Sequence, residues 1–161
     1  MDIRKVIQSQ YLSALAMLKQ AIVKCPQAMW NAPQDMDKSW FTAYHALYYA
    51  HLYLQPTRKD FVRWREHGKP ASSPPLTKKE VLDYLTFVEQ EVIRRVPVID
   101  LEEADSGFPG IRVDKLELQF VNIRHIQQHT GELYERLGAR MNIQLDWAER
   151  RHGPRSAKCA A

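Results

Sequence analysis

The sequence predicts an all-α fold, a four-helix bundle with long connections between its helices. Four segments place apolar residues three and four positions apart, the spacing that collects them on one face of a helix. No stretch alternates apolar and polar residues convincingly, as a half-buried strand would. At 161 residues the chain has about the length of one domain, and it can bury a core without disulfides or a structural metal.

The first predicted helix lies at the amino-terminal end of the chain. Its apolar positions form one stripe, which consists of Ile3, Ile7, Tyr11, Leu15, Leu18 and Ile22. Pro26 follows this stripe and ends the helix, because proline lacks the amide hydrogen that a helix interior requires.

The second predicted helix begins near Asp37 and ends near Leu54. It is apolar on nearly every side, so we expect it to be the most buried of the four. Residues 39–57 include no Asp, Glu, Lys or Arg, but the helical part is shorter than the roughly 20 apolar residues that a bilayer requires. We therefore expect a buried helix of a soluble bundle and no contact with a membrane.

The connection that follows is about twenty residues long and rich in proline, glycine and serine, longer than a simple bundle connection. Loops of this kind often cover a site. The third helix begins at Thr77, which forms a capping box with Glu80, and it ends at Pro97. The fourth follows an acidic loop and opens in the same way with Asp114 and Glu117.

The charge of the chain is distributed unevenly. The formal net charge is +4, but residues 1–149 balance 19 basic with 19 acidic side chains. The excess lies in a tail with no acid, in Arg150, Arg151, Arg155 and Lys158. We therefore predict a domain at residues 1–145 and a basic, flexible tail at residues 146–161. Basic and aromatic residues are not interleaved as in a nucleic-acid surface, so no nucleic-acid partner is expected.

The cysteines and the amino terminus predict a cytoplasmic protein. Cys25 and Cys159 are far apart in sequence, which argues for neither a disulfide framework nor a cysteine zinc site. The first ten residues carry charges and glutamines where a secretory signal has an apolar core.

Three histidines on two of the predicted helices are candidate metal ligands. His125 and His129 are four residues apart and lie on one face of the fourth helix, at the flank of its apolar stripe. His45 lies on the second helix, where an imidazole without a partner would be costly to bury. His51 lies about 120° around the same helix and cannot easily serve the same site.

Three neutral imidazoles would hold one divalent ion and leave a fourth position for water or substrate, the arrangement of catalytic zinc. Nickel, iron or manganese could occupy the same site. The alternative is that the three histidines are hydrogen-bonded boundary residues without a metal. A di-iron site of the ferritin type is set aside, since its Glu-x-x-His spacing occurs only at Glu149 and His152.

Two runs of sequence carry a family resemblance, the aromatic run 40–54 around His45 and the run 122–133 with both later histidines. Residues 76–85 and 106–109 extend the match, which reaches to about Arg140. Together these runs resemble the DinB-like superfamily of four-helix metalloproteins, whose name refers to induction by DNA damage. The resemblance implies the same bundle, a stress response, and pairing into homodimers.

The resemblance also implies a ligand set and an activity. The ligands of that family correspond to His45, His125 and His129. Its usual His-x-Gly-Gln-Leu motif departs here at Glu132, a carboxylate that could orient a ligand or move a proton, or could be a solvated helix charge. Characterised relatives include metal-dependent enzymes that transfer or isomerise with low-molecular-weight thiols.

A metal-dependent transferase or isomerase that uses a thiol and a small-molecule substrate is therefore the leading functional hypothesis. Arg63, Arg65 and Lys69 of the long loop could meet the carboxylates of such a thiol. Two alternatives stay open: a hydrolase of unknown substrate, and a metal-binding stress-response bundle without turnover.

Overall fold

A computed structural model describes residues 2–64 and 74–148, which contain five α-helices and no strand. The predicted all-α fold class is confirmed. The helices are α1 (Ile3–Lys24), α2 (Gln27–Trp30), α3 (Ser39–Tyr53), α4 (Lys78–Arg95) and α5 (Lys115–Met141). Most of the predicted basic tail lies outside the described residues, as do Arg65 and Lys69 of the long loop.

Side-chain caps fix the starts of the two C-terminal helices, with the predicted capping box complete at α4 and only its Asp114 half formed at α5. At α4, the Thr77 hydroxyl accepts from the Glu80 amide and the Glu80 carboxylate accepts from the Thr77 amide at 2.8 Å. At α5, the Asp114 carboxylate accepts from the Glu117 amide at 2.7 Å. These bonds satisfy amides that have no partner within the helix.

The short helix α2 is not predicted by the sequence. Pro26 ends α1 and caps α2, because its fixed φ suits a position just before a helix. Trp30 at the end of α2 is buried, and its indole nitrogen donates to the Leu76 carbonyl at 2.7 Å. The helix is therefore held by a contact with a residue 46 positions away.

Helix α3 lies at the centre of the bundle, with ten of its fifteen residues buried. The buried share is larger than in α1, α4 or α5, which confirms the prediction that this is the most buried of the four predicted helices. It packs antiparallel to α5: the Asn122 amide donates to the Ala50 carbonyl at 3.1 Å, and Arg136 donates to the Asp37 carbonyl at 2.6 Å. This pairing places the middle of α3 against the middle of α5.

A buried lysine joins the two connections at one end of the bundle. Lys115 donates from Nζ to the carbonyl of Pro56 at 2.6 Å and to the carbonyl of Ser106. Gly107 lies between them with a φ of +80°, and a Cβ there would approach the Pro56 oxygen to 2.3 Å. Only glycine allows this close approach of the two backbones. The close approach and the bonds of Lys115 hold the chain after residue 54 against the loop before α5.

Beyond α5 the chain runs back along α1. The Gln20 side chain donates to the Asp146 carbonyl at 3.1 Å and accepts from its amide at 3.0 Å. The boundary between domain and tail at residue 145 stays a prediction, and Asp146, the first residue of the predicted tail, is in contact with α1. Within the described ranges, no helix has both the length and the apolar character needed to cross a bilayer.

Candidate metal centre

The antiparallel pairing of α3 and α5 brings the three predicted histidines together. Nε2 of His125 lies 3.3 Å from Nε2 of His45 and 3.1 Å from Nε2 of His129. Nitrogen ligands at about 2.0–2.1 Å from a tetrahedral zinc ion are about 3.3 Å apart. The spacing of these atoms is therefore that of ligands arranged around one ion.

Two aromatic rings of α3 enclose the histidine cluster. The Tyr49 ring packs against His45, with centroids 4.8 Å apart, and against His125, with centroids 5.1 Å apart. Phe41 contacts His45 from the preceding turn at 6.0 Å. All three histidines are half-buried, so His125 and His129 lie at the edge of the core as predicted. The cluster is therefore flanked by aromatic rings and only partly exposed.

The environment keeps two of the imidazoles, those of His125 and His45, neutral. Burial first, and then the neighbouring His129 and His45, lower the pKa of His125 to about 4. Burial and the proximity of His129 also lower the pKa of His45. A metal binds only the unprotonated nitrogen of an imidazole, so both side chains are ready for ligation at neutral pH.

Glu132 fixes the orientation and the tautomer of His129. Its carboxylate lies 2.9 Å from Nδ1 of His129 and can only accept, so this nitrogen carries the proton. Burial alone would raise the pKa of Glu132, but its hydrogen bonds, the one to His129 first, outweigh burial and hold the pKa below its usual value. The Nε2 atom of His129 therefore presents a lone pair to the cluster. Of the two roles considered for Glu132, the geometry favours orientation of a ligand.

Without a cation, the contacts within the cluster cannot all be hydrogen bonds. Nε2 of His125 faces two nitrogens, and a neutral imidazole carries at most one proton there. Because His129 presents a lone pair, at most one of the two contacts is a well-aligned hydrogen bond. Nδ1 of His125 is buried and has no partner among the described residues. These observations disfavour the alternative of satisfied structural histidines, whereas one shared cation would satisfy all three Nε2 atoms.

Replacement of Glu132 by glutamine should weaken zinc binding about 10- to 100-fold, because the charge-assisted hydrogen bond that orients the ring of His129 becomes a weaker one to a neutral amide. The affinity is measured by competition with a chromogenic chelator at pH 7. Glu135→Gln is the matched control, since it removes an exposed carboxylate from the same helix. Equal affinities of the two variants would show that Glu132 is only a surface charge.

His51 lies apart from the cluster, as predicted. It is buried between the rings of Phe61 and Phe87, at 4.9 and 5.0 Å, and its Nδ1 lies 3.2 Å from the Tyr84 hydroxyl. Burial lowers its pKa to about 4; among the smaller effects, Glu91 raises the pKa, whereas Arg95 and Arg94 lower it. His51 is therefore a neutral core residue.

This low pKa predicts a loss of stability in acid. The unfolded chain takes up the proton near pH 6.5, whereas the folded protein takes it up only near pH 4. The contribution of His51 to the free energy of unfolding is thus complete above pH 6.5 and is lost as the pH falls toward 4. The loss between pH 7 and pH 4.5 amounts to about 2 kcal/mol. Urea unfolding of the metal-free protein at both pH values should show a smaller acid loss in His51→Gln. An equal loss of unfolding free energy in the wild type and in His51→Gln would contradict the low pKa of His51.

The sequence places Tyr49 among the neighbours of His45, one helical turn later, and the structure shows its ring against both His45 and His125. The buried position of Lys115, at one end of the bundle, is not predicted by the sequence, because its partners are backbone carbonyls of distant loops.

The structure unites His45, His125 and His129, whose ligand atoms all lie within 4.8 Å of one another. Among the described residues, no other group of three His, Cys, Asp or Glu has this property. The three histidines can therefore hold a metal ion. Comparisons of the chain with protein-family models, curated proteins and solved structures find no match.

Proposed function

We propose that this protein binds one divalent transition metal ion through Nε2 of His45, His125 and His129 and acts with it on a small molecule. The observation that carries the proposal is the convergence of three imidazole Nε2 atoms from two helices: Nε2 of His125 lies 3.1 Å from that of His129 and 3.3 Å from that of His45. The leading reaction is a transfer or isomerisation that uses a low-molecular-weight thiol. Zinc, nickel, iron and manganese all accept imidazole ligands in such a site.

Three protein ligands leave room for a further ligand beside the histidines. A divalent ion in such a site lowers the pKa of a thiol or a water molecule and supplies a nucleophile at neutral pH. The residues of the chain hold this geometry: Glu132 fixes His129, and the rings of Phe41 and Tyr49 limit access of bulk water.

Membership of the DinB-like superfamily is part of the proposal. It is supported by the quoted sequence runs, by the all-α fold and by the position of the histidines on α3 and α5. The homodimer, the stress response and the cytoplasmic location that the sequence suggests stay predictions.

Metal loading of the purified protein tests the first half of the proposal. Protein freed of metal with a chelator is offered zinc, nickel, manganese and ferrous iron in turn, desalted, and analysed by mass spectrometry of the elements. We expect about one ion per chain for at least one of the metals. No retained ion above the level of His125→Ala would refute the site.

Turnover tests the second half. The loaded protein is incubated with a panel of biological thiols and an electrophile such as an epoxide or an unsaturated dicarboxylate, and loss of free thiol is followed. We expect a rate that depends on the metal and is absent in His125→Ala. One bound ion without turnover of any thiol would instead favour the metal-binding bundle without catalysis.

A further inference from the structure

A cavity of about 400 Å³ lies beside the histidine cluster, between α3 and the turn at residues 108–111. Tyr49 lines this cavity, and the same ring packs against His45 and His125. The cavity and the cluster therefore share one side chain as a wall. Its other wall residues that matter for binding are Tyr48, Tyr53, Arg58 and Phe108.

The walls of this cavity are mainly aromatic. The rings of Tyr48 and Tyr49 pack edge to face at 5.4 Å, and those of Tyr53 and Phe108 at 5.1 Å. Aromatic walls accept a flat ring or a short apolar chain, and the volume lies within the range of small-molecule sites. The shape and the lining predict an apolar ligand body of the size of one aromatic ring.

The polar side chains around the cavity make no hydrogen bond or ion pair within the described part of the chain. This holds for the hydroxyls of Tyr48, Tyr49 and Tyr53 and for the exposed guanidinium of Arg58, which lies over the Phe61 ring at 5.6 Å. The nearby Asp60 carboxylate is engaged by the Thr57 amide at 3.0 Å and by the Thr57 hydroxyl. A guanidinium with phenol hydroxyls close by is suited to a carboxylate.

We propose that this cavity binds a small carboxylate with an aromatic or apolar body. The carboxylate pairs with Arg58, and the body lies along the tyrosines with its far end toward Tyr49 and the histidines. The proposal rests on the proposed function, because it names the substrate class of the same metal site. Binding to the cavity itself does not require the ion, so the two proposals can fail separately.

The probe is 3-phenylpropionate, titrated into metal-free protein and followed by ligand-detected NMR. We expect a dissociation constant on the order of 0.1–1 mM, as for a fragment of this size. The uncharged 3-phenylpropanamide should bind about tenfold more weakly, and Arg58→Gln should reduce the affinity for the acid by a similar factor. Lys59→Gln is the matched control, because it removes a neighbouring exposed charge that does not line the cavity.

Equal binding of acid and amide, or equal affinities of Arg58→Gln and Lys59→Gln, would overturn the cavity proposal even if the metal binds. If the acid binds selectively but the protein retains no ion in the metal-loading experiment, the cavity is supported while the metal site is refuted. With cobalt(II) bound, the phenyl protons should relax faster than the methylene protons next to the carboxylate. The opposite order would contradict the orientation in the cavity.

Discussion

Replacement of His125 by alanine is expected to weaken zinc binding by more than about 100-fold. His125 is the central residue of the cluster, since its Nε2 lies within 3.3 Å of Nε2 in both other histidines. Loss of an outer-shell partner costs 10- to 100-fold in metal affinity, so the loss of a ligand costs more. The affinity is measured by competition with a chelator.

His51→Gln is the matched control for this variant. It removes one histidine from the same pair of helices, but its side chain contacts Tyr84 and not the cluster. Its zinc affinity should equal that of the wild type, and circular dichroism should show that both variants keep their helices. If His51→Gln loses as much affinity as His125→Ala, the cluster is not the site of binding.

Replacement of Lys115 by methionine should lower the free energy of unfolding by about 2–4 kcal/mol. The side chain is buried, and its Nζ donates to the carbonyls of Pro56 and Ser106. Methionine has a similar length but leaves both oxygens without a donor, and each such loss costs about 1–3 kcal/mol. Burial lowers the pKa of Lys115, while Asp105 and Glu103 act in the opposite direction.

Urea unfolding at pH 7 measures this loss, and Lys59→Met is the control because Lys59 is exposed. The Lys115 variant should still bind one zinc ion, since its side chain does not contact the histidines. A stability equal to that of the control would show that the two carbonyls find other donors and that the lysine does not hold the loops together.

The sequence predicts those features of the fold that depend on neighbouring residues. The starts of α4 and α5 follow from cap residues three positions apart, and the end of α1 follows from Pro26. Helix α2 is different, because a four-residue helix has no periodic pattern and is held by the contact between Trp30 and Leu76. Such a contact depends on tertiary structure, which spacing along the chain does not contain.

In the candidate site, too, some features follow from the sequence and others depend on tertiary packing. The spacing of four residues predicts that His125 and His129 share a face, and the apolar surroundings of His45 mark it as a third member. The sequence alone leaves several roles open for Glu132, and the hydrogen bond from His129 to Glu132 corresponds to one of them, orientation of a ligand. The distances of 3.1 and 3.3 Å depend on the register of α3 against α5, which only packing determines.

The most direct test of the central claim is a long-range ¹H–¹⁵N NMR spectrum of the histidine side chains before and after one equivalent of zinc. We expect the Nε2 signals of His45, His125 and His129 to move to positions typical of metal-bound nitrogen, with Nδ1 of His129 protonated in both states. The signals of His51 should not move. Unchanged signals of the three histidines, or a response confined to His51, would contradict the proposed metal site.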